Sequence, residues 1–341
     1  MPGILLDTLN GAPSAQVPLW LMRQAGRYLP EYRELRAQKG GFLELAYDSE
    51  AACEITLQPI DRFGFDGAIL FSDILIVPHA LGQHLEFLAG EGPKLSPRLV
   101  DAALESLAPA PERYAPIYET VRLCRQRLPQ GVTMLGFAGS PWTVATYMVA
   151  GEGSRDQHEA RALAYRDPAA LQAIIDAIVE QTIMYLSGQI EAGAEAVQLF
   201  DSWAGSLAPD EFERWVIAPN ARIVAALADR HPDIPVIGFP KGSGEKLPAY
   251  ARETGVKAVG VDETLDPAWV ARELPDGMPV QGNLDPLLLL AGSEELERRV
   301  QTILEAFADR PNVFNLGHGI DRRTPIAHVE RLIKAVRGFR G

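Results

Sequence analysis

The chain has 341 residues and a formal net charge of -13 at pH 7, with 47% hydrophobic and 23% charged residues. That length and balance suit one large globular domain or two medium ones. The acidic surface excludes nucleic acid and anionic membrane as partners, because both need a net basic face. Cys53 and Cys124 stand far apart in sequence in helix-like segments, the pattern of reduced, buried cytoplasmic residues rather than of a disulfide or metal pair. No apolar run follows a basic start and no run of about 18 apolar residues occurs, so neither a signal peptide nor a membrane span is expected.

In chain order, short apolar runs each end in a polar or glycine-rich turn. They lie at 17–22 (VPLWLM), 66–73 (DGAILFSD), 132–140 (VTMLGFAGS), 194–202 (AEAVQLFDS), 234–242 (IPVIGFPKG), 257–263 (KAVGVDE), 278–285 (MPVQGNLD) and 312–319 (NVFNLGHG). Helix-period segments separate most of them, at 47–63, 111–128, 167–192, 209–230, 293–308 and 325–338. Thr324 before Pro325 predicts a cap followed by proline at the first helical position. The stretch 74–110, rich in Pro, Gly and Leu, reads as an insertion. Strands apolar throughout are buried on both faces, as in a parallel sheet covered by helices. Eight such units predict an α/β fold, a single (β/α)8 TIM barrel with insertions spanning 1–341, in preference to a doubly wound sheet.

A barrel of this kind carries its active site at the C-terminal face of the strands. The residues due there are Ser72-Asp73, Gly139-Ser140, Asp201-Ser202, Lys241, Asp262, Asn283 and His318. The segment 19–36, LWLMRQAGRYLPEYRELR, follows the first strand and lands on the same face. It gathers Arg23, Arg27, Arg33 and Arg36 among aromatic and apolar residues, against the sign of the whole chain. Arginine matches two carboxylate oxygens with one fork, so the segment reads either as a solvated charged face or as a pocket for a ligand with several carboxylates. Asp73 reads either as a helix cap or arginine partner, or as a carboxylate that meets developing positive charge. Ser202 caps a turn or donates to a carboxylate. Ser140-Pro141 is a cap and first-turn pair; Trp142 to Val149 is then a core helix in which the Tyr147 hydroxyl needs a partner. His318 sits between glycines that permit close approach of a ligand. The histidines show no metal spacing, so no protein-bound metal is expected. Lys241 keeps a Schiff-base aldolase in view.

The segments PLWLMRQAGRYLPEYRELR and GFAGSPWTVATYMVAGEGS, together with AILFSDIL, LFDSWAG and FNLGHGI in that order, resemble the uroporphyrinogen decarboxylase family over essentially the full chain. The resemblance implies a (β/α)8 barrel, a cytoplasmic homodimer, and no cofactor or metal. The implied reaction converts the four acetate side chains of uroporphyrinogen III to methyl groups, giving coproporphyrinogen III. It implies substrate binding by Arg23, Gln24, Ala25, Gly26, Arg27 and Arg36, a pyrrole-binding catalytic Asp73, and pocket positions at Tyr147, Phe200, Ser202 and His318. Arg23 is the first candidate for delivering a proton. Trp203 stands where some members have histidine and receives no role. Rival readings are a related-barrel methyltransferase, the lysine aldolase and a porphyrinogen carrier without catalysis.

Overall fold

The structure is a computed structural model that describes residues 3–12, 14, 16–88 and 92–339. Its centre is a curled, all-parallel sheet of seven strands. These are β1 (Gly67–Ile69), β4 (Thr133–Gly139), β5 (Ala196–Asp201), β6 (Val236–Pro240), β7 (Ala258–Gly260), β8 (Val280–Leu284) and β9 (Asn312–Leu316), side by side in that order. Nearly every residue in them is buried, as expected of strands covered on both faces. The remaining strands, β2 (His84–Leu88) and β3 (Gly92–Ser96), pair antiparallel outside the barrel.

The expected first strand, 17–22, is reduced to a single parallel bridge between Leu19 and Phe314. It still joins the two ends of the sheet. Phe314 N–H donates to Pro18 O at 2.8 Å, and on the other side Asp66 N–H donates to Leu19 O at 3.0 Å. Pro18 has no N–H to give a ladder, and the Leu19 N–H goes to the Asp66 carboxylate at 2.7 Å instead of to a backbone carbonyl. Arg337 holds that carboxylate at 2.7 Å. The expected eightfold barrel is therefore seven regular strands plus one bridge. Its interior is crossed by a chain of buried side chains: Trp20 Nε1–H donates to Gln281 at 2.9 Å, and Gln281 donates to Gln198 at 3.0 Å.

Helices form close to their expected places, at Ser49–Phe63, Ala115–Arg127, Pro168–Ala192, Glu295–Ala306 and Ile326–Gly338. Asp48 and Asp167 cap the first turns of two of them, accepting from Ala51 N–H and Ala170 N–H. The segment 209–230 is helical but passes through a π turn, Glu213–Ile217, just before Pro219, whose ring cannot join the regular ladder. Pro325 is the N-cap rather than the first helical residue, and Thr324 provides no cap hydrogen bond. The insertion is built of the helix Ile76–Ala80 and the β2–β3 hairpin. It lies on the end of the helix Pro141–Ala150: Leu95 N–H reaches Gly151 O at 2.6 Å and Leu99 N–H reaches Met148 O at 2.9 Å. Gly151 has φ +79, and an added Cβ would lie 2.6 Å from the Arg98 stem; only glycine suits both demands.

The expectation of free, buried cysteines holds, and one other expectation changes. Cys53 and Cys124 are free and buried, and across two packed helices their thiols lie close enough to shift each other's titration; sequence distance hid that pairing. Among the described residues, the helix Pro168–Ala192 is long and apolar enough to cross a membrane by length and composition, contrary to the sequence expectation. Most of its apolar side chains, among them Leu171, Ile174, Ile178, Val179 and Leu186, are buried, while Met184 is exposed.

Candidate active site

The loop after Leu21 is built by local constraints that leave Arg23 in an unusual conformation. Gln24 is fully buried and works as a brace: its Oε1 accepts Leu21 N–H at 3.0 Å and its Nε2 donates to Gly67 O at 2.8 Å. Asn315, at the end of β9, accepts Met22 N–H at 2.9 Å. Between these anchors Arg23 takes φ +59, a left-handed state that costs a non-glycine residue of order 1 kcal/mol and persists only where the surroundings impose it. The Arg23 side chain lies across Gly319, where an added Cβ would come within 2.4 Å of the Arg23 stem. Gly317 is similarly filled by Glu263. At both glycines beside His318 the space a side chain would need is thus taken by Glu263 and Arg23.

Asp73 follows β1. Its Oδ1 accepts Leu75 N–H at 2.9 Å; among the described residues its other oxygen meets no protein donor, and no ion pair forms to an arginine. Neither simple expectation, helix cap or arginine partner, describes it. Protein atoms surround the carboxyl group while a part of the residue stays accessible, the condition of a recess floor. Desolvation raises its pKa to about 6, opposed by the Leu75 hydrogen bond and by Arg23. Tyr185, whose hydroxyl lies 3.3 Å from Ser72, and Tyr47 lie near enough for the Asp73 charge to push their hydroxyls further up, adding to burial. These tyrosines come from outside every motif; a tyrosine in a long apolar helix carries no sequence signal that it will wall an active site.

Around this floor the structure brings together several expected residues. Arg23 acts electrostatically on Asp73, Tyr147 and His318. Tyr147 is half-buried, and desolvation, then Asp73, raises its pKa, with the Trp203 side chain pulling the other way. His318 is held neutral down to about pH 3, by desolvation first and then by Arg23 and Lys241. Phe200 stands edge-on between Phe137 and Phe239, at 5.5 and 6.0 Å. Ser202 is partly exposed, and its hydroxyl has no partner among the described residues, so it caps nothing. Ala25 and Gly26 are half-buried in the turn between the two arginines. Lys241 faces Glu263 at 3.8 Å.

Other strand-end residues turn away. Asp201 is fully buried and takes the Thr143 hydroxyl as donor; burial raises its pKa to about 7. Ser140 is the N-cap of Pro141–Ala150, but its hydroxyl donates to Asn220 at 3.0 Å instead of capping. Asn283 donates to Asp262 O and Leu265 O, and Asp262 accepts Gly242 N–H and Thr264; both secure loops. Arg27 and Arg36 do not line the recess floor either. They line a neighbouring open cavity of about 590 Å3, with Arg33, Arg322 and Arg323. Among the described residues no group of three His, Cys, Asp or Glu side chains could hold a metal ion.

A parallel barrel that keeps one carboxylate largely out of water, with one arginine acting on it and more arginines at a nearby opening, is an enzyme framework for an anionic substrate that passes through charged states. The comparisons narrow that class. The model of the uroporphyrinogen decarboxylase (URO-D) family matches residues 3–339. The uroporphyrinogen decarboxylase of Novosphingobium aromaticivorans is 74% identical over 99% of each chain, and that of Mesorhizobium japonicum is 52% identical over 98% of this chain and 97% of its own. Among solved structures, a methyltransferase from Methanosarcina mazei superposes with a TM-score of 0.84, covering 99% of this chain and 98% of its own at 20% identity, a likeness of fold alone. This chain belongs to the uroporphyrinogen decarboxylase family, and its chemistry is that of a carboxy-lyase in porphyrin biosynthesis. The aldolase, methyltransferase and carrier readings give way to it.

Proposed function

We propose that the chain, acting as a single-domain cytoplasmic homodimer, removes carbon dioxide from the four acetate side chains of uroporphyrinogen III and releases coproporphyrinogen III, with Asp73 at the centre of the chemistry. A pyrrole acetate loses carbon dioxide poorly because the electron pair left behind has no acceptor. Protonation of the adjacent ring carbon converts the ring to an iminium-like sink. The carboxylate then leaves as carbon dioxide, the electrons flow to the ring, the exocyclic carbon takes a proton, and the ring carbon returns its own. Each cycle consumes one proton and turns an acetate into a methyl group. The substrate supplies its own sink, so this route calls for no cofactor.

In this reading the free oxygen of Asp73 holds the pyrrole N–H groups and offsets the cationic ring. The observation that carries it is a carboxyl group enclosed by protein yet given, among the described residues, one protein donor, Leu75 N–H; that burial also raises its pKa. A carboxylate deprived of water binds donors and cations more strongly than a hydrated one. Arg23, Arg27 and Arg36 pair with substrate carboxylates, Tyr147 and Ser202 offer hydroxyl groups, the neutral His318 offers an imidazole, and Phe200 covers the macrocycle. The backbone around Gln24, Ala25 and Gly26 shapes the loop, Gln24 through its brace to Gly67. An arginine is too basic to be an ordinary acid, so Arg23 serves the proton step by polarising a water or a substrate carboxyl group. The test is anaerobic incubation with uroporphyrinogen and separation of the porphyrins by HPLC. Wild type should accumulate the tetracarboxylate, while Asp73→Asn should fold normally and leave substrate unconverted. Near-normal conversion by Asp73→Asn would remove the charge-offsetting role.

A further inference from the structure

The cavity beside the recess is lined by five arginines, and no carboxylate lines it, although the chain as a whole carries -13. Arg27, Arg33 and Arg36 come from the amino-terminal segment. Arg322 and Arg323 arrive from the far end of the chain, on the loop that follows His318. That loop is fastened beside Arg23: Ile320 N–H donates to Met22 O at 2.9 Å, and Gly319 lies under the Arg23 stem. The five guanidinium groups are not equivalent. Arg323 is engaged by Asp321 at 2.8 and 2.9 Å, and Arg33 donates to Arg27 O at 2.9 Å and so holds the loop. Arg322 is exposed and forms no ion pair among the described residues.

Asp321 offsets Arg323 and, more weakly, Arg322, but one carboxylate against five guanidinium groups leaves a net positive patch whose members repel one another and gain when an anion enters among them. Elsewhere the negative surface repels a polyanion, so a local positive patch decides where it lands. We propose that Arg322 forms an outer carboxylate subsite, which captures the polycarboxylate macrocycle at the rim and favours porphyrinogens with more carboxylates over their partly decarboxylated successors. The inference rests on the porphyrinogen reading above and adds to it a residue outside the segments that carry the family resemblance. Attraction to the rim falls with every carboxylate lost, so late intermediates are held less than the incoming substrate. The rim thereby helps the eight-carboxylate form to compete for the site.

The test compares wild type with Arg322→Gln and with Arg252→Gln, which removes the same charge from an exposed position near the amino-terminal end of β7. kcat/KM is measured for uroporphyrinogen and for a pentacarboxylate porphyrinogen at low and high ionic strength. Arg322→Gln should lower kcat/KM roughly fivefold for the octacarboxylate and roughly twofold for the pentacarboxylate at low salt, and the loss should fade as screening grows. Arg252→Gln should change neither ratio. Arg322→Lys, which keeps charge without the fork, should recover more than half of the loss. An equal loss on both substrates, a loss that survives high salt, a fall in kcat alone, or no change at all would each overturn the subsite. Titration of the two porphyrinogens, followed by protein tryptophan fluorescence in an Asp73→Asn background, gives the binding ratio without turnover, so a failure of the decarboxylase reading stays distinguishable from a failure of the subsite.

Discussion

The recess floor and the arginine cavity beside it use charge under opposite conditions. On the floor a largely desolvated carboxylate and a neutral imidazole feel Arg23, which acts on both from a more exposed position, and Asp73, Tyr147 and His318 are each driven away from their ordinary pKa. In the cavity five arginines crowd an opening to solvent. Coulomb energy at the same separation is several-fold larger at low effective dielectric than in water, and exposed pairs contribute little. The floor is therefore where a single charge can alter a barrier; the cavity is where many charges together alter encounter and affinity. Segment 19–36 serves both places, because its turn sends Arg23 one way and its helix, Pro30–Lys39, sends Arg33 and Arg36 the other.

The contrast can be broken most severely at the floor. Asp73→Asn should reduce kcat about a thousandfold with little change in melting temperature, by analogy with the loss of one group that stabilises transition-state charge; stopped assays against HPLC standards measure it. Next comes the pair of arginines. Arg23→Ala should lower kcat about a hundredfold, while Arg27→Ala should act mainly through KM, about tenfold, and the split in steady-state kinetics separates chemistry from binding. Equal effects on both parameters in both variants would erase the distinction between floor and cavity.

A pH profile sharpens the same contrast. The working form of Asp73 is the carboxylate and its pKa in the free enzyme is about 6, so kcat/KM should fall about tenfold per unit below that value and stay level just above it. A profile flat to pH 4.5 would contradict the assignment. The smallest effect concerns stability alone. Asp201 is raised to about 7 by burial, whereas the unfolded residue ionises near 3.9. The folded chain thus holds a proton that the unfolded chain has lost. That contribution is complete below about pH 4 and disappears as the pH climbs to about 7, at most about 4 kcal/mol. Asp201→Asn, which still accepts the Thr143 hydroxyl, should flatten this decline in urea titrations at pH 4 and pH 8.

Much of the architecture is legible in the residues. Fully apolar runs ending in polar turns mark seven of the eight strands, because a strand buried on both faces tolerates little else. The eighth, 17–22, misleads: its apolar run is real, but Pro18 and the Asp66 carboxylate leave only a bridge. Asp73, Arg23, Tyr147 and His318 were readable as strand-end or motif residues. The brace role of Gln24, the tyrosines behind Asp73, the cysteine pair and the cation from the carboxyl end were not, since each depends on partners distant in sequence.

By itself, the amino-acid sequence determined the alternation of strands and helices, the gathering of arginines in one segment and the residues that end each strand, because hydrophobic period and turn chemistry act over short spans. Only the tertiary structure decided which of those ends face one another. It placed Asp73 out of water, twisted Arg23 over Gly319, sent Asp201 into the core, and brought Arg322 beside Arg27. Burial and electrostatic environment belong to the closed barrel as a whole, where groups hundreds of residues apart set one another's solvation.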